Sequence, residues 1–310
     1  MASETVTPAP RILLRRQGMW RLGLQRLRRN RSGMLGLSLV AFVVLVAITC
    51  HWLAPYDPND QSAALGFGTS KGPALLHLLG TDRLGYDILS RLVYGAPTAL
   101  AVGIGAMMIA SLIGVTIGGI AGYCGGMVDE LLMRFTEFLL VLPVFLVILA
   151  VVRLFGIMVV GSWLERVPDL NLITIILLLG CFGWPSIARI TRAEFLRLRQ
   201  AEFVEAARCI GTRQRDIVLR HILPNALPSI IVVVALGVGG AVLAEAMISF
   251  LGFGDPNSIS WGQLLYFNYE TMRIAPWATL APGAAIFITV LGFNLLADGL
   301  SDAFNPRLRQ

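Results

Sequence analysis

The chain has 310 residues, of which 56% are hydrophobic and only 14% charged, with a formal net charge of +6. An ordinary soluble domain carries about a quarter charged residues, so a soluble globular fold is excluded. The charges also avoid long stretches of the chain, and those stretches set the architecture.

The first 32 residues are rich in arginine: Arg11, Arg15, Arg16, Arg21, Arg26, Arg28, Arg29 and Arg31. This basic region, and the apolar run after it, are too long for a cleaved secretory signal. Ser32 to Tyr56 contains no Lys, Arg, Asp or Glu and predicts a first span. Residues 57–91 then form a segment outside the spans. Gly66, Gly68, Gly72 and Pro73 mark its turns, and Thr81 to Tyr94 is suited to a short surface helix. Leu92 to Val128 is a charge-free second span. Along it Gly114, Gly118, Gly122 and Gly126 recur every four residues, a smooth stripe for close packing against a neighbouring span or for lining a path.

Met133 to Val152 is a weaker third span. Arg134 and Glu137 sit one turn apart at its start, spaced to pair, and Pro143 kinks it. Leu170 to Ala188 is the fourth, with Trp184-Pro185 reading as an interface anchor and bend. A charged insert, residues 189–225, precedes the fifth span, Ile222 to Phe253, in which Glu245 is the only charge. Trp261 to Pro276 lies outside, with Trp261, Tyr266, Phe267, Tyr269 and Trp277 forming an aromatic edge suited to an interface. Ile274 to Ala297 is the sixth span. Roughly 20 apolar residues cross the hydrocarbon core, and backbone groups there must be satisfied within the segment. The expectation is therefore an all-α integral membrane protein, with residues 33–310 forming one domain of six transmembrane helices.

Orientation follows from arginine. Segment 1–32 and the stretch from Arg189 to Arg220 hold 16 of the 25 basic residues. With six spans both fall on one side, together with Arg307 and Arg309, and the positive-inside rule makes that side the cytoplasm. Topology thus accounts for the positive charge, and nucleic acid is not expected as a partner.

Much chemistry is missing. A Walker-type phosphate loop needs a Gly-Lys pair before Ser or Thr, and the only lysine, Lys71, follows Ser70. His51, His77 and His221 show no metal-ligand spacing. Cys50, Cys124, Cys181 and Cys209 form no C-x-x-C pair and read as small packing residues. No catalytic, metal or cofactor site is expected in this chain.

The charged insert is the informative stretch. Phe203, Ala206, Ala207 and Ile210 fall at i, i+3, i+4 and i+7, one face of a helix. Gly211 suits a helix stop in the left-handed conformation, and Thr212 can cap a second helix carrying Ile217, Val218 and Ile222, ended or kinked by Pro224. Pattern alone leaves two readings: an amphipathic helix lying on the bilayer, or a docking element for a soluble partner.

Glu205-Ala206-Ala207, three residues, Gly211, nine residues, then His221-Ile222-Leu223-Pro224 resembles the EAA loop of ABC importer permeases. Leu79-Gly80-Thr81-Asp82, Leu84-Gly85-Tyr86-Asp87, Leu89-Ser90-Arg91 and Tyr94-Gly95 resemble the signature before the second span of the C-type permease of dipeptide, oligopeptide and nickel importers. Ile248 to Gly254 with Trp261-Gly262, and Asp298-Gly299-Leu300, Asp302-Ala303 and Asn305-Pro306-Arg307, resemble the later motifs of that family. Tyr86, Pro97 and Asn305 depart from its usual residues.

The resemblance implies a type I ABC importer permease fold with a cytoplasmic coupling helix, in the bacterial inner membrane, both termini cytoplasmic. It implies a homologous second permease as heterodimer partner, two cytoplasmic ATPase subunits that carry ATP and Mg, and an external substrate-binding protein. The coupling loop would be Phe203, Glu205, Ala206, Ala207, Ile210, Gly211, His221 and Pro224. Peptides are the implied cargo, with nickel chelates, opines and sugars also carried by relatives. A six-span secondary transporter or a membrane scaffold remains the alternative. Glu245 is read either as a pathway or gate residue or as a structural hydrogen-bonding group.

Overall fold

The structure, a computed structural model, describes residues 19–61, 71–159, 167 and 169–304. The sequence readings on Arg11, Arg15, Arg16, Gly66, Gly68, Asn305, Arg307 and Arg309 lie outside the described residues. Among the described residues every regular element is helical, and one isolated bridge joins Thr81 to Asp87.

Helix α1, Met19–Arg29, leads into α2, Arg31–Ile48, through Asn30, whose side chain accepts from the Gly33 N–H. A short α3, Cys50–Leu53, follows. The long α4, Ile88–Cys124, is capped by Asp87 and stopped at Gly125, which adopts φ 70°. Helices α5, Gly126–Val141, and α6, Val144–Val159, meet at 76° across Leu142-Pro143. Proline has no N–H to extend the ladder and drives the preceding residue extended, and Leu142 is extended at ψ 138°. Then come α7, Leu170–Arg199; α8, Glu202–Cys209; and the one-turn α9, Gln214–Asp216. A wide π turn, Ile217–Ile222, joins α9 to α10, Leu223–Phe250. Helix α11, Trp261–Asn268, and α12, Pro276–Phe304, complete the chain.

Among the described residues, five continuous helical stretches are long and apolar enough to cross a membrane: α2, α4, α7, residues 214–250 and α12. The bent α5–α6 pair makes a sixth if it is one span. At 1.5 Å per residue a 37-residue helix is about 55 Å long, so α4 and the 214–250 helix outreach a hydrocarbon core of about 30 Å. Large apolar side chains such as Phe42, Leu112 and Leu146 are exposed on the outside of the bundle. Such an outer surface suits lipid rather than water.

The bundle is built on close approaches between small residues. Helices α4 and α7 share the most extensive contact. Gly114, Gly118 and Gly122 face α7: a Cβ on Gly114 would lie 2.8 Å from the Trp184 carbonyl oxygen, and one on Gly122 would lie 2.7 Å from that of Arg192. On the other side of the core, α2 crosses α12 where Gly33 and Gly36 meet Gly299 and the Leu295-Leu296 backbone. Helix α10 packs between α4 and α12. In membranes, where lipid tails are as apolar as leucine, such van der Waals contact is a main source of helix association.

Several expectations need correction. Gly126 does not continue the glycine stripe; it starts α5 at φ 58°, and nothing lies within 4 Å of where its Cβ would be. The four-residue period holds only as long as the helix does, and α4 ends at Cys124. Thr81 to Tyr94 is not a surface helix: residues 81–87 form a turn closed by the Thr81–Asp87 bridge, and the spanning helix starts at Ile88. Arg134 pairs with Glu130, one turn before it, rather than with Glu137. Trp184 and Trp261 are core residues, only 4% and 3% exposed. Trp261 packs on Gly95 and donates its Nε1–H to the Leu92 carbonyl at 2.8 Å, so its one polar atom is satisfied internally.

Candidate functional site

Helix α8 and its flanks sit at one end of the bundle, beyond the ends of α4 and α7. Their anchorage begins on α7, where Phe195 and Leu198 are buried and the Arg199 guanidinium donates to the Tyr123 carbonyl at 2.8 Å. Arg192 holds Asp129 with a two-pronged contact, Nη2 to Oδ2 at 2.6 Å, which ties the start of α5 to α7. Ser229 on α10 donates to Glu194 on α7 at 2.7 Å. The floor beneath α8 is therefore cross-tied by three polar contacts.

The eight-residue α8 splits its apolar residues between two directions. Val204 and Ala207 are buried, and both belong to the main core, which also contains Phe195, Leu198, Ile217 and Ile222. Phe203 is 41% and Ile210 83% exposed, and Ala206 is exposed as well. At 100° per residue Phe203, Ala206 and Ile210 share one strip, and Val204 and Ala207 lie clockwise of it. This corrects the face read from the sequence. Ala207 belongs to the inner side, and Val204, outside the i, i+3, i+4, i+7 pattern, is its main anchor. The outer strip is apolar, with the exposed Glu202, Glu205 and Arg208 around it.

The exit from α8 is fixed by glycine. Gly211 adopts φ 77°, its N–H donates to the Arg208 carbonyl at 3.0 Å, and the Thr212 N–H reaches back to Ala207 at 3.1 Å. This pair of bonds is a Schellman ending, which requires a residue in the left-handed region at that point. Thr212 does not cap the next helix; Arg213 occupies that position without a side-chain cap bond.

Nor does Pro224 end the helix. The chain runs on as one helix to Phe250, and the strain is taken up upstream, where the Leu223 N–H bonds five residues back to Val218. Pro224 cannot donate to the carbonyl four residues before it, and its ring crowds that carbonyl. The wide turn makes room there, as π bulges do. His221 is half-buried, and its carbonyl accepts from the Asn225 side chain at 2.6 Å. The loop helix is thus joined across the Gly211 corner to a 37-residue helix that spans the bundle.

Beside this end, α5, α7 and α10 border an open cleft of about 1070 Å³. Asp129, Glu130, Arg134, Glu137, Arg189 and Arg192 bring both signs of charge to its walls. Glu245 lies elsewhere, deep in α10. It is 2% exposed, and its Oε1 accepts from the Ser249 hydroxyl at 2.6 Å and the Ser260 hydroxyl at 2.7 Å. Its bonds clasp the start of α11 to α10.

The opposite end of the bundle holds a buried polar cluster built from the signature residues before the second span, whose bonding the sequence did not show. Asp87 caps α4 through the Ser90 N–H at 2.8 Å and also binds the Ser90 hydroxyl and His77. Asp82 Oδ1 accepts from the Leu84 and Tyr86 N–H groups at 2.9 Å. Burial pushes the Asp82 carboxyl above its ordinary range, against these backbone bonds and nearby Arg91. The signal available was the spacing of two aspartates ahead of a helix, each placed to bind backbone N–H groups.

A bundle of membrane-length helices, with a small helix exposed beyond one end, defines a multi-pass membrane protein. The chain belongs to the family described as binding-protein-dependent transport system inner membrane component, whose model matches residues 114–310. Residues 18–71 match the N-terminal transmembrane domain of oligopeptide transport permease C. The glutathione transport system permease protein GsiD of Escherichia coli O6:K15:H31 is 37% identical over 94% of this chain and 91% of its own length. The dipeptide transport system permease protein DppC of Alkalihalophilus pseudofirmus is 34% identical over 100% of this chain and 97% of its own. Among solved structures, a chain from inward-facing conformations of the MetNI methionine ABC transporter shares the fold. The TM-score is 0.56 at 20% identity, over 70% of this chain and 98% of that one. This chain is accordingly an ABC importer permease subunit, an all-α membrane protein without an ATPase motif of its own.

Proposed function

We propose that this chain is the C-type permease of an ATP-driven importer of di- and oligopeptides, forming half of the translocation path beside a homologous second permease. Two cytoplasmic ATPase subunits carry ATP and Mg, and an external binding protein delivers cargo. Relatives named for glutathione and dipeptide transport support peptides as the cargo class. The arginine-rich α1 and the α8 end face the cytoplasm, as the positive-inside rule favours.

The observation that carries the coupling role is the geometry of α8. Its outer strip of Phe203, Ala206 and Ile210 is free to meet a groove on an ATPase, while Val204 and Ala207 key the helix to the core. The Gly211 ending and the π turn transmit displacement of α8 into the long helix behind it. ATP binding on the ATPases biases a two-state bundle only through a difference in affinity for its two states. A helix lying on lipid would need no such keying to the span.

The test is reconstitution of the chain with its second permease, the ATPases and the binding protein in liposomes. ATP-dependent uptake of di- and tripeptides is expected only with every component present. Uptake by the lone chain, driven by an ion gradient, defeats the reading in favour of a secondary transporter.

A further inference from the structure

Arg91 stands in the first turn of α4, its side chain only 11% exposed and its guanidinium 4.1 Å from the centre of the Tyr86 ring. Its nearest acid is Asp82, whose Oδ2 lies 3.7 Å from Nη1, too far for a hydrogen bond. Arg91 Nε and Nη1 and Asp82 Oδ2 are all buried without a hydrogen-bond partner among the described residues. Three orphaned atoms in one ion pair are unusual, because buried polar groups are nearly always bonded and leaving them unbonded is unfavourable.

Arg91 stands at the wall of a cleft of about 350 Å³, and the buried Asp82 is not among the cleft's lining residues. Asn59, Tyr86, Gln263, Tyr266 and Phe267 line it together with Arg91, and among the described residues Arg91 is the only charged side chain in its lining. That volume falls in the range of small-molecule sites, and so does a lining of aromatic walls with a few polar groups. Asp82 is a poor competitor for the arginine. Its Oδ1 is committed to two backbone N–H groups, and its Oδ2 stands off at a distance. Arg91 lines the cleft with 11% of its side chain exposed, and a guanidinium has parallel donors that match the two oxygens of a carboxylate.

We propose that this cleft is a carboxylate subsite, in which Arg91 pairs with the free carboxylate of a small zwitterionic solute while Tyr86, Tyr266 and Phe267 hold its organic part. That the solute is incoming cargo, held at the outer mouth before translocation, rests on the importer reading above. Asp82 acts as the resting counter-ion that the carboxylate displaces.

The experiment uses the complete importer in nanodiscs, with Asn59→Cys introduced in a background lacking the four native cysteines. Maleimide labelling at position 59 is followed during titration with dialanine and with dialanine amide. Dialanine is expected to protect, and the amide to require a concentration roughly tenfold higher or more, the loss anticipated for one charge-assisted pair. Arg91→Met should abolish the difference between the two probes. Arg91→Lys, which keeps the charge and guards against a folding defect, should retain part of it. Asp82→Asn preserves the Oδ1 acceptor and removes the competing charge, so it should tighten dialanine protection. A purely structural ion pair would make Asp82→Asn and Arg91→Met equally damaging, and that result overturns the proposal. Equal protection by dialanine and its amide overturns it as well. Uptake is measured in parallel on liposomes: absence of ATP-driven uptake of any peptide defeats the importer reading, while the subsite is judged on protection alone.

Discussion

The carbonyl oxygen of Ala188 on α7 occupies the place where a side chain on Gly118 would begin. Gly114 and Gly122, one turn to either side, make the same close approach to Trp184 and Arg192. Gly118→Leu must therefore push α4 and α7 apart along their main contact. Over-packing a close interface is expected to destabilise by about 1–3 kcal/mol, enough to lower the amount of assembled complex in membranes. Gly126→Ala is the contrast. It meets open space and bears only the strain of φ 58°, roughly 1–2 kcal/mol. Quantifying complex by size-exclusion chromatography checks both, and equal recovery of Gly118→Leu and wild type would show that the two helices do not pack this way.

The two directions of α8 separate folding from docking. Ala207→Trp places a large ring into the core beside Val204 and should reduce the amount of folded protein. Ile210→Glu changes a side chain that is 83% exposed and should leave folding within about 0.5 kcal/mol of wild type. On the coupling reading it nevertheless strips the ATPases from the complex, because a charge then enters the apolar docking strip. Pull-down of the ATPases with a tagged permease reads the outcome. Full ATPase recovery with Ile210→Glu would leave α8 without a coupling role.

Glu245 distinguishes gating from scaffolding. Glu245→Gln keeps an oxygen that can accept from Ser249 and Ser260, whereas Glu245→Leu abandons both hydroxyls in a buried site. Unsatisfied buried groups cost about 1–3 kcal/mol each. The expected result is near-wild-type uptake and Tm for Gln, with a clear drop in Tm for Leu. Lost uptake at an unchanged Tm in Glu245→Gln would instead assign the charge itself a part in transport.

How much of this was legible in the sequence depended on the kind of signal. The spans were visible because hydrocarbon excludes charge over whole segments, and the left-handed Gly211 because a helix stop there has few chemical solutions. Gly114, Gly118 and Gly122 could be read as close-packing positions from periodicity, but Gly126 could not be separated from them without knowing where α4 ends. The inner face of α8 was misread because eight residues allow two overlapping strips, and only the tertiary position of Val204 decides between them. The Asp129–Arg192 pair joins residues 63 positions apart on different helices, so no local spacing announced it, while Asp82 and Arg91 were visible as signature residues but not as a pair.

The last prediction concerns orientation. Residues 189–220 carry eight arginines, and several lie on or beside the exposed α8. Such a cluster favours the cytoplasmic side, since each arginine at the centre of a membrane helix is disfavoured by about 2.5–3.5 kcal/mol on insertion scales. With α8 inside, the turn at 81–87 and the exposed Tyr269 must be outside, because α4 and α10 each cross the bundle from one end to the other. Three of the four native cysteines are exposed, so they must first be removed. Tyr269→Cys should then react with an impermeant maleimide in cells whose inner membrane is intact, and Arg208→Cys only after that membrane is opened. Both side chains are exposed in the chain, and reaction of Arg208→Cys once the membrane is opened and the ATPases are stripped shows that its silence in intact cells reports the side of the membrane. Labelling of Arg208→Cys from outside would invert the bundle and remove the physical basis for placing ATPases at α8.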